Sequence, residues 1–244
     1  MVKTVLRTVS RAFLICKREL GSIFGTPTAY IVLVLFQLLN GLFFCAIVHS
    51  GAAANLAYLY RNIGLVMLVM VPAITMGSFV REKQSGTVEL LLTSPLTAFQ
   101  LLLGKVGAYF SFLLVMCLTT LQYPFMLNFF TNVDEGRVFA GTVGLLCLGL
   151  AMMSLGLFTS AITNHQISAC LLAATLGLIF WCAQSLVALI FSAPLAAIRS
   201  VSFYERMVTF TVGLIDSSDC AFFIVFSFVT LTLCLRVMEG WRWR

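Results

Sequence analysis

Arg81 to Gln100 reads REKQSGTVELLLTSPLTAFQ and lies between two long apolar runs. Its first three residues, Arg81, Glu82 and Lys83, are all charged, in a chain where only 10% of residues are. Ser85-Gly86 reads as a turn, because glycine enters positive φ without a Cβ clash. Thr87 can cap a short helix from Val88 to Ser94, with Val88, Leu91 and Leu92 recurring on one face. Pro95 ends that helix, since it removes a backbone donor and biases Ser94 away from helical geometry. Thr97 restarts the chain as an N-cap, and Gln100 at the third helical position completes a capping box. The pattern predicts a short amphipathic helix turned sharply into a membrane span, a place where a soluble partner can push.

Composition says what surrounds this stretch. The 244 residues are 61% hydrophobic, with a mean hydropathy of +1.04. A soluble domain carries about a quarter charged residues, so the chain reads as one integral, polytopic membrane domain. Six apolar runs approach the roughly 20 residues that cross the hydrocarbon layer. They are placed at Thr28–Val48, Asn62–Phe79, Val106–Leu127, Val138–Ile162, Ile167–Phe191 and Cys220–Val237. Helices are the form expected, because open strands leave backbone groups unpaired in lipid. The third helix is expected to start at Thr97, outside the bilayer, which puts Lys105 at headgroup level where it can snorkel.

Residues 1–27 are amphipathic rather than spanning. Val2, Leu6, Val9, Phe13, Cys16, Leu20 and Ile23 form one apolar stripe, and Lys3, Arg7, Arg11, Lys17 and Arg18 lie largely off it. Such a helix lies in the membrane interface, as an anchor on anionic membrane lipid or as a brace for a partner protein. The basic, polar start is not expected to be a cleavable signal peptide. Charge placement then orients the spans. With the N-terminus inside, Lys3, Arg7, Arg11, Lys17, Arg18, Arg81, Lys83, Lys105, Arg236, Arg242 and Arg244 are cytoplasmic, and only Arg61, Arg137, Arg199 and Arg206 are outside. Eleven of 15 basic residues inside follows the positive-inside bias. Both termini are therefore expected in the cytoplasm, with Trp241-Arg242-Trp243-Arg244 as an interfacial anchor in the 239–244 tail.

The residues Arg81-Glu82-Lys83-Gln84-Ser85-Gly86-Thr87-Val88-Glu89-Leu90-Leu91-Leu92, then Thr93-Ser94-Pro95 and Gly104-Lys105, resemble the signature of type-2 ABC exporter permeases. Within that family the chain is similar to the gliding-motility-associated subunits. The resemblance covers most of the chain and is weakest in the first external loop. It implies an all-α, six-span permease domain over residues 28–238, preceded by an interfacial helix. It also implies a cytoplasmic coupling segment over residues 81–97 that docks on a separate ATPase. The coupling residues it carries over are Arg81, Glu82, Lys83, Gly86, Thr87, Glu89, Leu91, Leu92 and Pro95, with Glu89 the expected contact. ATP and Mg would be bound by the partner, leaving no cofactor in this chain. A second permease copy or paralogue is implied, in a bacterial cytoplasmic (inner) membrane. The family also favours short re-entrant helices in the long external loop 192–219, where Gly213-Leu214-Ile215-Asp216 and Asp219 match the subfamily.

Nothing in the residues suggests chemistry. No Gly-x-x-x-x-Gly-Lys-Ser/Thr loop is present to cradle ATP phosphates, and no Gly-x-Ser-x-Gly elbow supplies a nucleophile. His49 and His165 are expected on opposite faces, and the eight cysteines show no metal-ligand spacing. The chain is expected not to be an enzyme. Gln37, Asn40, Gln122, Asn128 and Gln184 in or near the spans are read as interhelical hydrogen bonders, with a substrate path as the other reading. The ridges Ala169, Ala173, Gly177 and Gly104, Ala108, with Gly107, Ser111, predict close helix packing. An ATP-independent transporter or channel, and a scaffold anchoring a surface machine, are the alternatives from other classes.

Overall fold

Antiparallel helices account for the fold of the computed structural model, which describes residues 2–49, 56–86, 97–129, 134–191 and 201–241. Its helices are α1 (Val2–Gly25), α2 (Pro27–His49), α3 (Leu56–Thr75), α4 (Gly77–Gln84), α5 (Ala98–Thr120), α6 (Gln122–Leu127), α7 (Glu135–Ile162), α8 (Gln166–Phe191), α9 (Phe203–Thr211) and α10 (Ser217–Gly240). No strand occurs among the described residues. Among the described residues six helical stretches are long and apolar enough to cross a membrane, and the chain is an all-α polytopic membrane protein.

Two of the six form the centre. Two-thirds of the spanning window is buried in the protein for α3–α4 and for α7, against 11% for α2. The second span was expected to begin at Asn62, but the helix already starts at Leu56. Leu56, Leu59 and Tyr60 are buried against protein rather than lipid, so Arg61 can sit in the same helix, its guanidinium over the Tyr58 and Tyr204 rings. Pro72 then breaks the ladder by removing one backbone donor. The Thr75 hydroxyl donates to Val71 O at 3.1 Å and competes further with the helix. The chain kinks at Met76 and resumes as α4. Gly156 of α7 lies against this kink, and a Cβ there would come within 1.9 Å of Thr75 Oγ1. Any larger residue would force the Thr75 side chain to shift or the two central spans to separate.

Small residues pack as the sequence suggested, with one change of partner. Ala169 and Ala173 are fully buried, and Gly177 faces Met152 of α7. Gly107, by contrast, faces Cys16, so that ridge seats the amphipathic α1 against α5. The polar residues of α2 do bond locally or between helices. Gln37 Nε2 donates to Thr119 O at 3.3 Å, Tyr123 Oη donates to Gln37 O at 2.8 Å, and Asn40 Nδ2 donates to Phe36 O at 2.8 Å.

Candidate functional site

One helical turn of α4 sends its side chains to two different parts of the bundle. Glu82 points toward α5 and α1, where Lys105 lies 2.7 Å away, and Lys105 also reaches Glu19 of α1 at 3.2 Å. The ammonium donates its third bond to Ser78 O at 2.8 Å and sits 5.0 Å from the Phe79 ring centre. All three N–H donors of the lysine are thereby used. Lys105 is 1% exposed, which corrects the expectation that it snorkels to the headgroups. Two carboxylates and a carbonyl are closer than water, and a charge paired inside is held where an unpaired one would be driven out.

Lys83, next in sequence, points the other way. Its ammonium donates to Ala161 O and, at 3.1 Å, to Thr163 O. These are carbonyls at the C-terminal end of α7, where orphan acceptors and the helix dipole both favour a cation. Gln84 Nε2 adds a bond to Asn164 O at 3.0 Å. The Trp241 ring lies 4.6 Å below Lys83 and packs edge-on against Phe79. Trp241 thus takes part in this packing, and Arg242, Trp243 and Arg244 lie outside the described residues.

The start of α4 is also tied down. The Ser160 hydroxyl donates to Met76 O at 2.9 Å and accepts the Phe79 and Val80 N–H groups at 3.0 and 3.4 Å. A hydroxyl from α7 thus satisfies the backbone groups that the kink leaves open. Arg81 is exposed, with its side chain folded over Gly77. The charged trio Arg81, Glu82 and Lys83 is therefore divided, with one residue outward and two inward on different partners.

Beyond α4 the backbone follows the predicted turn. Gly86 has φ +69°, with Gly86 N–H bonded to Lys83 O at 3.2 Å. Thr87, Glu89, Leu91, Leu92 and Pro95 lie outside the described residues. The chain is described again from Thr97, which caps α5 with the capping box that Gln100 completes. Glu19, Ser160 and the inward role of Lys105 escaped the sequence reading. Glu19 carried a usable signal, as the lone acid in an otherwise basic amphipathic helix.

The opposite end is built differently. There α9 and the first turn of α10 meet through Arg206 and Asp219, 2.6 Å apart. The guanidinium lies 4.0 Å over the Phe222 ring, and Phe203 packs among Phe180, Phe222, Phe223 and Phe226. The Ser202 hydroxyl donates to Trp181 O at 3.2 Å. Asp134 and Asp216 cap α7 and α10 by accepting the Gly136 and Ser218 N–H groups, each at 3.0 Å.

A family model described as ABC-2 family transporter protein matches residues 47–217. No curated protein matches the chain.

Proposed function

The chain belongs to the ABC-2 family of transporter proteins, and from that premise we propose that this permease subunit is driven by a separate ATPase pressing on residues 81–97. The observation that carries the reading is the divergence at α4. A force applied after Gly86 meets a helix tied through Glu82 to α5 and α1, and through Lys83 and Gln84 to the α7–α8 turn. One displaced segment would move several spans as rigid bodies, the kind of motion that turns a local push into alternating access. Glu89 is the proposed contact with the ATPase, and the hydrolysed ATP and its Mg belong to that partner.

On this reading the α1 end faces the cytoplasm and the α9 end lies outside, in agreement with the positive-inside bias. A second copy or a paralogue completes the transporter, and export is the direction. The test is to purify the tagged full-length chain from its native membrane in mild detergent. Its companions would be identified and vanadate-sensitive ATP hydrolysis assayed, for the wild type and for Glu89→Lys. A co-purifying ATPase whose recovery or activity falls in the variant is expected. If no ATPase is recovered under conditions that preserve a known ABC complex, the coupling reading fails, and substrate flux under an ion gradient becomes the next assay.

A further inference from the structure

A cavity of about 360 Å³ opens beside Lys105, enclosed by α1, α2, the α3–α4 kink and the start of α5. Its polarity changes along the axes of the spans, and three helices agree on the direction. On α2, Thr28 lines it at one level and Val32 a turn deeper. On the second span, Arg81 lines the outer level, and Ile74 lies nearly two turns deeper. On α5, Lys105 is followed one turn deeper by Tyr109. The cavity is therefore charged toward the ends of these helices and less polar toward the middle of the spans, a gradient that matches a headgroup and the first carbons of its chains.

Charge balance narrows the headgroup. Arg18, Arg81 and Lys105 line the cavity against Glu19 and Glu82, a surplus of one positive charge. Lys105 is committed to the two carboxylates. Arg18 and Arg81 are exposed and enter no ion pair among the described residues. Guanidinium groups bind phosphate oxygens through directed, charge-assisted hydrogen bonds. We propose that this cavity binds one anionic glycerophospholipid, its phosphodiester at the Arg18 and Arg81 end and its chains along Val32 and Ile74. The lipid would then wedge α1 against the kinked span, independently of any ATPase.

The experiment uses the full-length chain, delipidated in neutral detergent and titrated with phosphatidylglycerol under native mass spectrometry. One tightly retained lipid is expected per chain, with apparent affinity about tenfold lower in Arg18→Gln/Arg81→Gln, the scale of one or more lost charge-assisted bonds. Lys17→Gln removes a neighbouring charge of α1 that does not line the cavity and should bind as wild type. Ala73→Phe alters no charge but fills the apolar wall, and should also release the lipid, which keeps the test informative if the double variant fails to fold. Millimolar inorganic phosphate should not compete. Unchanged binding in either cavity variant, an equal loss in Lys17→Gln, or displacement by inorganic phosphate would each overturn the proposal.

Discussion

At the α1 end one ammonium faces two carboxylates beside a cavity, whereas at the α9 end one guanidinium faces one carboxylate among stacked rings. Both arrangements fix a helix that does not span: α1 in one case, α9 in the other. The difference lies in what holds each together. The aromatic end gains from ring packing, and its ion pair is nearly neutral as a unit. The Lys105 cluster carries one more acid than base and joins three separate helices, so its stability depends on keeping every partner in place. An end organised by such a cluster responds to displacement of any member. An end organised by packed rings resists it.

Substitutions can break this contrast, and the largest effect is expected at Lys105. Lys105→Met leaves Glu19 and Glu82 facing each other without a cation, and should cost about 3–5 kcal/mol, the range for orphaning a buried charge. Thermal unfolding in detergent measures it. Adding Glu19→Gln and Glu82→Gln should restore most of the loss, and a triple variant no better than the single would show that packing, not charge, holds this end. Arg206→Met should cost less, about 1–3 kcal/mol, because the long apolar side chain still covers Phe222. If its loss matched that of Lys105→Met, the two ends would not differ in kind.

Lys83→Met tests the second arm of α4. It removes the cation from the end of α7 and should cost about 1–2 kcal/mol. In the coupled complex it should lower ATP-driven turnover more than it lowers the melting temperature. The smallest effect is expected at Asp216. Hydrogen bonds from Ser218, its backbone N–H foremost, hold the Asp216 carboxyl below the usual carboxylate range. The folded state binds this proton less readily than the unfolded one, so its contribution is complete at neutral pH and fades as pH falls below about 4. Asp216→Asn should therefore flatten a slight acid-side decline in melting temperature, lying a little below the wild type at pH 7 and meeting it well below pH 4.

Much of the fold was legible because lipid simplifies the code. Runs such as Ile167–Phe191 must be helices in a bilayer whatever their neighbours. The turn at Gly86 and the box at Thr97 and Gln100 are local chemistry, complete within four residues. The site was less legible. Glu82 and Lys83 are adjacent in sequence and look like one boundary marker, yet the helix directs them about 100° apart, toward different partners. Lys105 looked like a snorkelling residue because nothing near it in sequence is acidic. Its partners come from 23 and 86 residues away.

The sequence alone determined that this chain crosses a membrane as helices, where it turns, and where its lone basic amphipathic helix lies. Composition, period and caps are properties of a few consecutive residues, so no neighbour is needed to read them. Tertiary structure decided which charges are paired, that Ser160 completes the kink at Met76, and that α3–α4 and α7 are the centre. Those outcomes depend on which helix faces which. In lipid every span is apolar all round, so hydrophobic pattern says little about facing, and close packing and polar pairing choose it.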